Sequence, residues 1–155
     1  MSPKMNQIVI LGVHPPCPRC TLLGNIIDAK VKELNIEAEV FHWAYSTAEA
    51  RKMANSFGLV PGTAKDVSVK LQVPIDSERV GLAKNSKVIH PEYDFCAYNN
   101  CNWTFELDET LRLYENRAKD VGIMMTPVLI INGELKHQGS VPSLNKINEW
   151  LSLLK

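Results

Sequence analysis

The chain has 155 residues, 17 Lys and Arg against 17 Asp and Glu, a formal net charge of zero and 45 % hydrophobic residues. That length buries one good core, whereas two independent domains would each be small. The charges are interspersed, which argues against a nucleic-acid or anionic-membrane surface. The opening Met1-Ser2-Pro3-Lys4-Met5 is polar and no long apolar stretch follows it, so neither a secretory signal nor a membrane span is expected. The expected home is cytoplasmic, where four cysteines mean chemistry or metal more often than structural staples.

Gln7 to Val13 is a continuous apolar run of strand length, suited to a strand buried on both faces. Cys17-Pro18-Arg19-Cys20 follows, then Leu22, Leu23, Ile26, Ile27, Val31 and Leu34 at helical spacing. Pro18 falls where a helix begins, because its missing N–H is needed least there. The positive helix end and Arg19 both favour thiolate over thiol, making Cys17 the more acidic, attacking sulfur and Cys20 the resolving one. The alternative is that both cysteines are small core residues, but C-x-x-C opening a helix after a buried strand is a fairly specific redox context. His14 is placed to stabilise the thiolate or to accept a proton; without a partner it is simply an exposed loop residue.

Asn35 stops the first helix, and Ala38 to Trp43 reads as a second strand. Ser46-Thr47-Ala48-Glu49 reads as a capping box, Ala50, Met53, Ala54 and Phe57 lay out a helical face, and Gly58 ends it. Val67, Val69, Leu71 and Val73 alternate with polar residues, which predicts a strand, expected to pair with the open edge of the second strand. Lys87 to His90 is a further short strand candidate. Asp108 is read as an N-cap, followed by Leu111, Tyr114, Ala118 and Val121 on one face and then Gly122. Thr126-Pro127 leads the apolar run Val128 to Ile131, and Asn132-Gly133 is a strong hairpin signal turning it back through Gln138. Gly139 breaks that strand, and a last helix from about Ser143 buries Leu144, Ile147, Trp150, Leu151 and Leu154.

This order predicts an α/β fold with a four-stranded mixed sheet and helices on both faces. The chain resembles the thioredoxin superfamily, and in particular its small redox-active disulfide proteins, over Gln7–Trp43 and Asp108–Leu154. The motifs are Cys17-Pro18-Arg19-Cys20 and Met125-Thr126-Pro127-Val128 leading into Ile131-Asn132-Gly133; the glycine-led turn from Gly139 to Ser143 is also similar. The resemblance implies a single thioredoxin-like domain over 1–155 with an insertion of about 60 residues, approximately 46–106, between the second strand and the following helix. It also implies that Pro127 is cis and packs beside the disulfide, and that Thr126 offers its backbone to an extended substrate. Ordinary thioredoxins carry a Trp before the first cysteine, Gly-Pro between the thiols and a buried aspartate where Leu11 stands; the chain has none of these. The Cys-Pro-x-Cys spacing and Asn-Gly hairpin also resemble glutaredoxins.

The expected function is thiol–disulfide exchange by Cys17 and Cys20, with His14, Arg19, Thr126 and Pro127 as substrate-binding residues and no cofactor. The expected partners are a disulfide-containing protein and an electron donor resembling thioredoxin reductase. Leaving and rejoining the core at the Cys17 end of the sheet, the insertion is expected to border the site. Its cysteines, Cys96 and Cys101, have three readings: a second disulfide or relay, inert buried thiols, or completion of a four-thiolate metal or iron–sulfur site with Cys17 and Cys20. Tyr93, Phe95, Tyr98 and Trp103 are expected to pack the insertion. A metal-binding or electron-carrying protein is the alternative function, and an interaction module with incidental thiols a third.

Overall fold

The computed structural model describes residues 5–13, 18–98 and 102–155. His14 to Cys17 and Asn99 to Cys101 therefore lie outside the described residues. Strand β1 (Asn6–Gly12) pairs in parallel with β2 (Ala38–Ala44), and α1 (Pro18–Glu33) makes the crossover between them. Helix α1 begins at Pro18, as its missing donor favours, and runs to Glu33, with Asn35 in the turn just beyond taking a left-handed φ of 52°. A second helix, α2 (Ala48–Asn55), follows β2.

The C-terminal half completes the sheet. Strand β5 (Val128–Ile131) runs antiparallel to β1 and turns through Asn132-Gly133 into β6 (Glu134–Gln138), giving the order β2-β1-β5-β6. The last helix, α7 (Leu144–Ser152), is capped by Ser143. This is the four-stranded mixed sheet that the sequence predicts.

Both faces of the sheet are covered, which explains why β1 and β5 read as unbroken apolar runs rather than alternating ones. Ile8 and Ile10 of β1 and Leu129 and Ile131 of β5 pack with Leu22, Leu23, Ile26 and Ile27 of α1 and Ile147 and Leu151 of α7. Their neighbours Val9, Leu11, Val128 and Ile130 pack on the opposite face with Ala50 and Ala54 of α2 and with Met124.

Between α2 and β5 the structure departs from expectation in several places. Thr47, rather than Ser46, caps α2: its backbone is extended and its Oγ1 accepts from Ala50 N–H at 3.2 Å, so no capping box forms there. The chain then forms β3 (Val60–Gly62) and α3 (Ala64–Leu71). Residues 67–73 are thus mainly helical, not a strand, because Thr63 and Asp66 close a capping box at the start of α3. Ala64, Val67 and Leu71 form its packed face, against Leu111, Tyr114, Ala118 and Met125. Among the described residues no strand pairs with the outer edge of β2.

Helix α4 (Ser77–Lys84) comes next, and Lys87 to His90 is irregular rather than a strand; two 3₁₀ turns follow, Pro91–Tyr93 and Cys96–Tyr98. The helix predicted from Asp108 starts earlier and is broken: α5 (Phe105–Thr110) is capped by Thr104, and α6 (Arg112–Arg117) follows at once. Strand β4 (Ile123–Met125), which the periodicity did not reveal, pairs in parallel with β3 in a separate two-stranded sheet. No helix among the described residues is long and apolar enough to cross a membrane.

Val67 is fully buried whereas Val69 is 68 % exposed. A strand of period two would put both on one face; a helix separates them. Val67→Thr is therefore expected to cost about 1–3 kcal/mol by placing a hydroxyl in the core, and Val69→Thr to stay within about 0.5 kcal/mol, as read from urea denaturation midpoints.

Candidate active site

The first turn of α1 stands against the end of β1. Cys20 is 7 % exposed, and a Cβ added at Gly12 would lie 3.0 Å from Cys20 Cβ and 3.3 Å from its Sγ. Glycine at position 12 therefore admits the sulfur to the sheet end. Four residues after Cys20, a Cβ at Gly24 would meet the His42 ring at 2.9 Å, so the second glycine lets that imidazole lie along α1. A cavity of about 310 Å³ opens here, lined in part by Ile10, Gly12, Cys20, Gly24, His42 and Trp43. Cys17 and His14, expected beside Cys20, lie outside the described residues.

Arg19 corrects an expectation. Rather than facing substrate, it is 8 % exposed and turned inward. Its Nε donates to Asp108 Oδ1 at 2.6 Å, and its Nη2 donates to the Gly139 carbonyl. The other oxygen of Asp108, Oδ2, accepts from Trp103 Nε1 and from Val141 N–H, each at 3.0 Å. One carboxylate, itself 2 % exposed, thus joins α1, the Trp103 segment and the turn before α7. The local cap preference of Asp108 concealed this role; the sequence signal was Arg19 itself, a cation on a helix turn bound for the interior and needing a counter-ion. With its charge matched at Asp108, Arg19 is not the source of positive potential at the helix start.

The second motif lies at the same end of the sheet. The Thr126–Pro127 peptide bond is cis, and the next residue, Val128, pairs with Leu11, the neighbour of Gly12. Gly139 links the motifs, since its N–H donates to Pro127 O at 2.9 Å while its carbonyl accepts from Arg19. It has to be glycine: φ is +88° and a Cβ would come within 2.6 Å of Glu115 Cγ. Thr126, expected to offer its backbone to substrate, has its donor turned inward. It is 3 % exposed and its N–H donates to Gly62 O at 2.9 Å, so this donor is engaged within the chain.

Cys96 opens a 3₁₀ turn and is exposed. That turn rests on α1, where Asn25 Nδ2 donates to Tyr98 O at 3.2 Å. Phe95 and Trp103 are buried in the α1 core with their ring centroids 4.8 Å apart, so these aromatics pack rather than present a face. The four-thiolate arrangement involves Cys17 and Cys101, which lie outside the described residues. Among the described residues no three His, Cys, Asp or Glu side chains gather to hold a metal ion.

Comparison with known proteins adds to this geometry. A family model described as a thioredoxin domain matches residues 95–152. The match supports membership of the thioredoxin superfamily. No curated protein matches it. The match to the thioredoxin domain takes in Asp108, the cis Pro127, the β5–β6 hairpin and Gly139, and it begins at Phe95, inside the segment that follows α4.

In β6 of the hairpin, His137 Nε2 lies 2.8 Å from Ser140 Oγ. Burial pushes the His137 imidazole below its ordinary value; Glu115 and Asp108 pull it up, and Lys146 and Arg112 push it down. The unfolded chain then binds the proton more readily, so this contribution to stability is complete above the ordinary value and is lost as pH falls through it, until the depressed folded value is passed. The melting temperature is expected to hold between about pH 8 and pH 7 and to fall below about pH 6.5. His137→Gln should flatten that fall in a thermal-denaturation series.

Removing Asp108 leaves a buried guanidinium without its counter-charge. Asp108→Ala is expected to cost about 3–5 kcal/mol in chemical denaturation, and adding Arg19→Met should recover part of the loss.

Proposed function

We propose that the chain is a thiol–disulfide oxidoreductase whose redox couple is Cys17 and Cys20. One observation carries this reading: Cys20, on the first turn of α1, packs its sulfur against the end of β1, and Gly139 ties that same turn to the cis Thr126–Pro127 peptide. A thiol and a proline-led strand brought to one sheet end suit exchange chemistry on a thioredoxin fold. Cys17 immediately precedes α1 in sequence, where the helix end favours an anion.

In the proposed reaction the Cys17 thiolate attacks one sulfur of a substrate disulfide, forms a mixed disulfide and releases the other sulfur as a thiolate. The Cys20 thiol, deprotonated, then attacks Cys17 Sγ, releases the second substrate sulfur and leaves an internal disulfide. Substrate gains two electrons, the protein loses two, and a dithiol donor returns them. Tethering makes the second step effectively unimolecular. The position of Cys96 on the α1 flank supports including Cys96 and Cys101 as a second pair that exchanges with the first.

Cys17→Ser is expected to abolish turnover of a disulfide substrate in the presence of a dithiol reductant. Cys20→Ser should retain the first attack and accumulate the mixed disulfide, visible by mass spectrometry as the protein plus one substrate half. Full turnover by Cys17→Ser would refute the assignment.

A further inference from the structure

The backbone donors along residues 125–127 are all accounted for. Met125 N–H donates to Gln138 Oε1 at 2.8 Å, Thr126 N–H donates to Gly62 O at 2.9 Å, and Pro127 has no N–H to offer. The acceptor for Thr126 is the end of β3, whose register with β4 pairs Val60 with Ile123, Pro61 with Met124 and Gly62 with Met125. At its other end Val60 N–H donates to Gly122 O at 2.9 Å.

Strand β3 is held in place at both ends. Directly after it, Thr63 N–H donates to Asp66 Oδ2 at 2.9 Å and Asp66 N–H to Thr63 Oγ1 at 3.3 Å, which fixes the turn into α3. Gly62 has little spare room, because a Cβ there would be 3.1 Å from both Ile123 Cγ2 and Asp66 Oδ2. Only glycine lets the backbone come this close to β4 without displacement. An extended polypeptide docks on a strand edge by pairing with free backbone groups, and here the chain has supplied that strand itself.

We infer that Val60–Gly62 closes the backbone edge at Thr126 to extended polypeptides, so that the dithiol acts on low-molecular-weight disulfides. This rests on the oxidoreductase reading above. Such substrates need no strand pairing, and the cavity of about 310 Å³ at Cys20 falls in the size range of small-ligand sites. The balance is that of the proposed reaction: one small disulfide takes two electrons and leaves as two thiols, and the protein dithiol becomes a disulfide that an added dithiol resets.

The test compares cystine with insulin as substrates of the intact protein, with dithiothreitol as donor, and follows Thr126 by amide hydrogen exchange. The wild type should reduce cystine with kcat/KM about tenfold or more above that for insulin. Its Thr126 amide should exchange about a hundredfold more slowly than unpaired loop amides. Gly62→Leu, which forces a side chain against Ile123, should narrow the substrate ratio while speeding Thr126 exchange. Equal efficiency on both substrates, or a rapidly exchanging Thr126 amide in the wild type, would overturn the inference. Inactivity on both substrates would instead sink the oxidoreductase reading. A disulfide-containing extended peptide titrated against the protein then decides this inference by itself: a Thr126 amide shift on binding overturns it, and an unmoved Thr126 amide supports it.

Discussion

The structure depends on a single buried charge pair. Arg19 and Asp108 are both nearly excluded from solvent, and each would be strongly destabilising without the other. What makes the pair tolerable is its set of fixed partners among the described residues: Asp108 accepts from Arg19, Trp103 and Val141, and Arg19 also donates to Gly139. Because these partners fall in residues 103–108 and 139–141, the first turn of α1 is positioned by two distant segments at once. A hydrophobic replacement would give comparable burial without that directionality, which is why an ion pair serves here.

The long segment between β2 and β5 is built into the site rather than appended to it. Through β3 it supplies Gly62 to the residue before the cis proline, and through Phe95 and Trp103 it completes the core over α1. Val67 and Leu71 of α3 share a further apolar cluster with Tyr114 and Met125, which continues that attachment up to the cis proline. The match to the thioredoxin domain starts at Phe95, in line with this integration.

Much of the core was legible because the local and tertiary demands agreed. The run Ile8 to Leu11, Pro18 at the helix start, Asn35 at its stop and Asn132-Gly133 at the hairpin each carry their own conformational preference. Residues 67–73 were misread because apolar residues at every second position are also four apart, satisfying both periods; the deciding signal was Thr63 and Asp66 upstream. Asp108 was misread for the converse reason. Its residue type fits a cap, but a buried arginine 89 positions away claims it, and no window of local sequence contains that pairing. The short β3–β4 pairing was hidden in the same way, since three-residue strands have too little pattern to register and are defined by their neighbour.

The Arg19 contacts span 89 and 120 positions, to Asp108 and to Gly139. During synthesis, the N-terminal cysteine motif emerges long before either partner, and its helix can form early as an amphipathic element with an unanswered cation at its leading turn. The counter-charge and the glycine that joins the helix to the proline arrive only with the last third of the chain. The geometry around Cys20 is thus a late product of folding, assembled when the C-terminal half docks, and a nascent chain carries its cysteines for most of its translation without the framework that positions them.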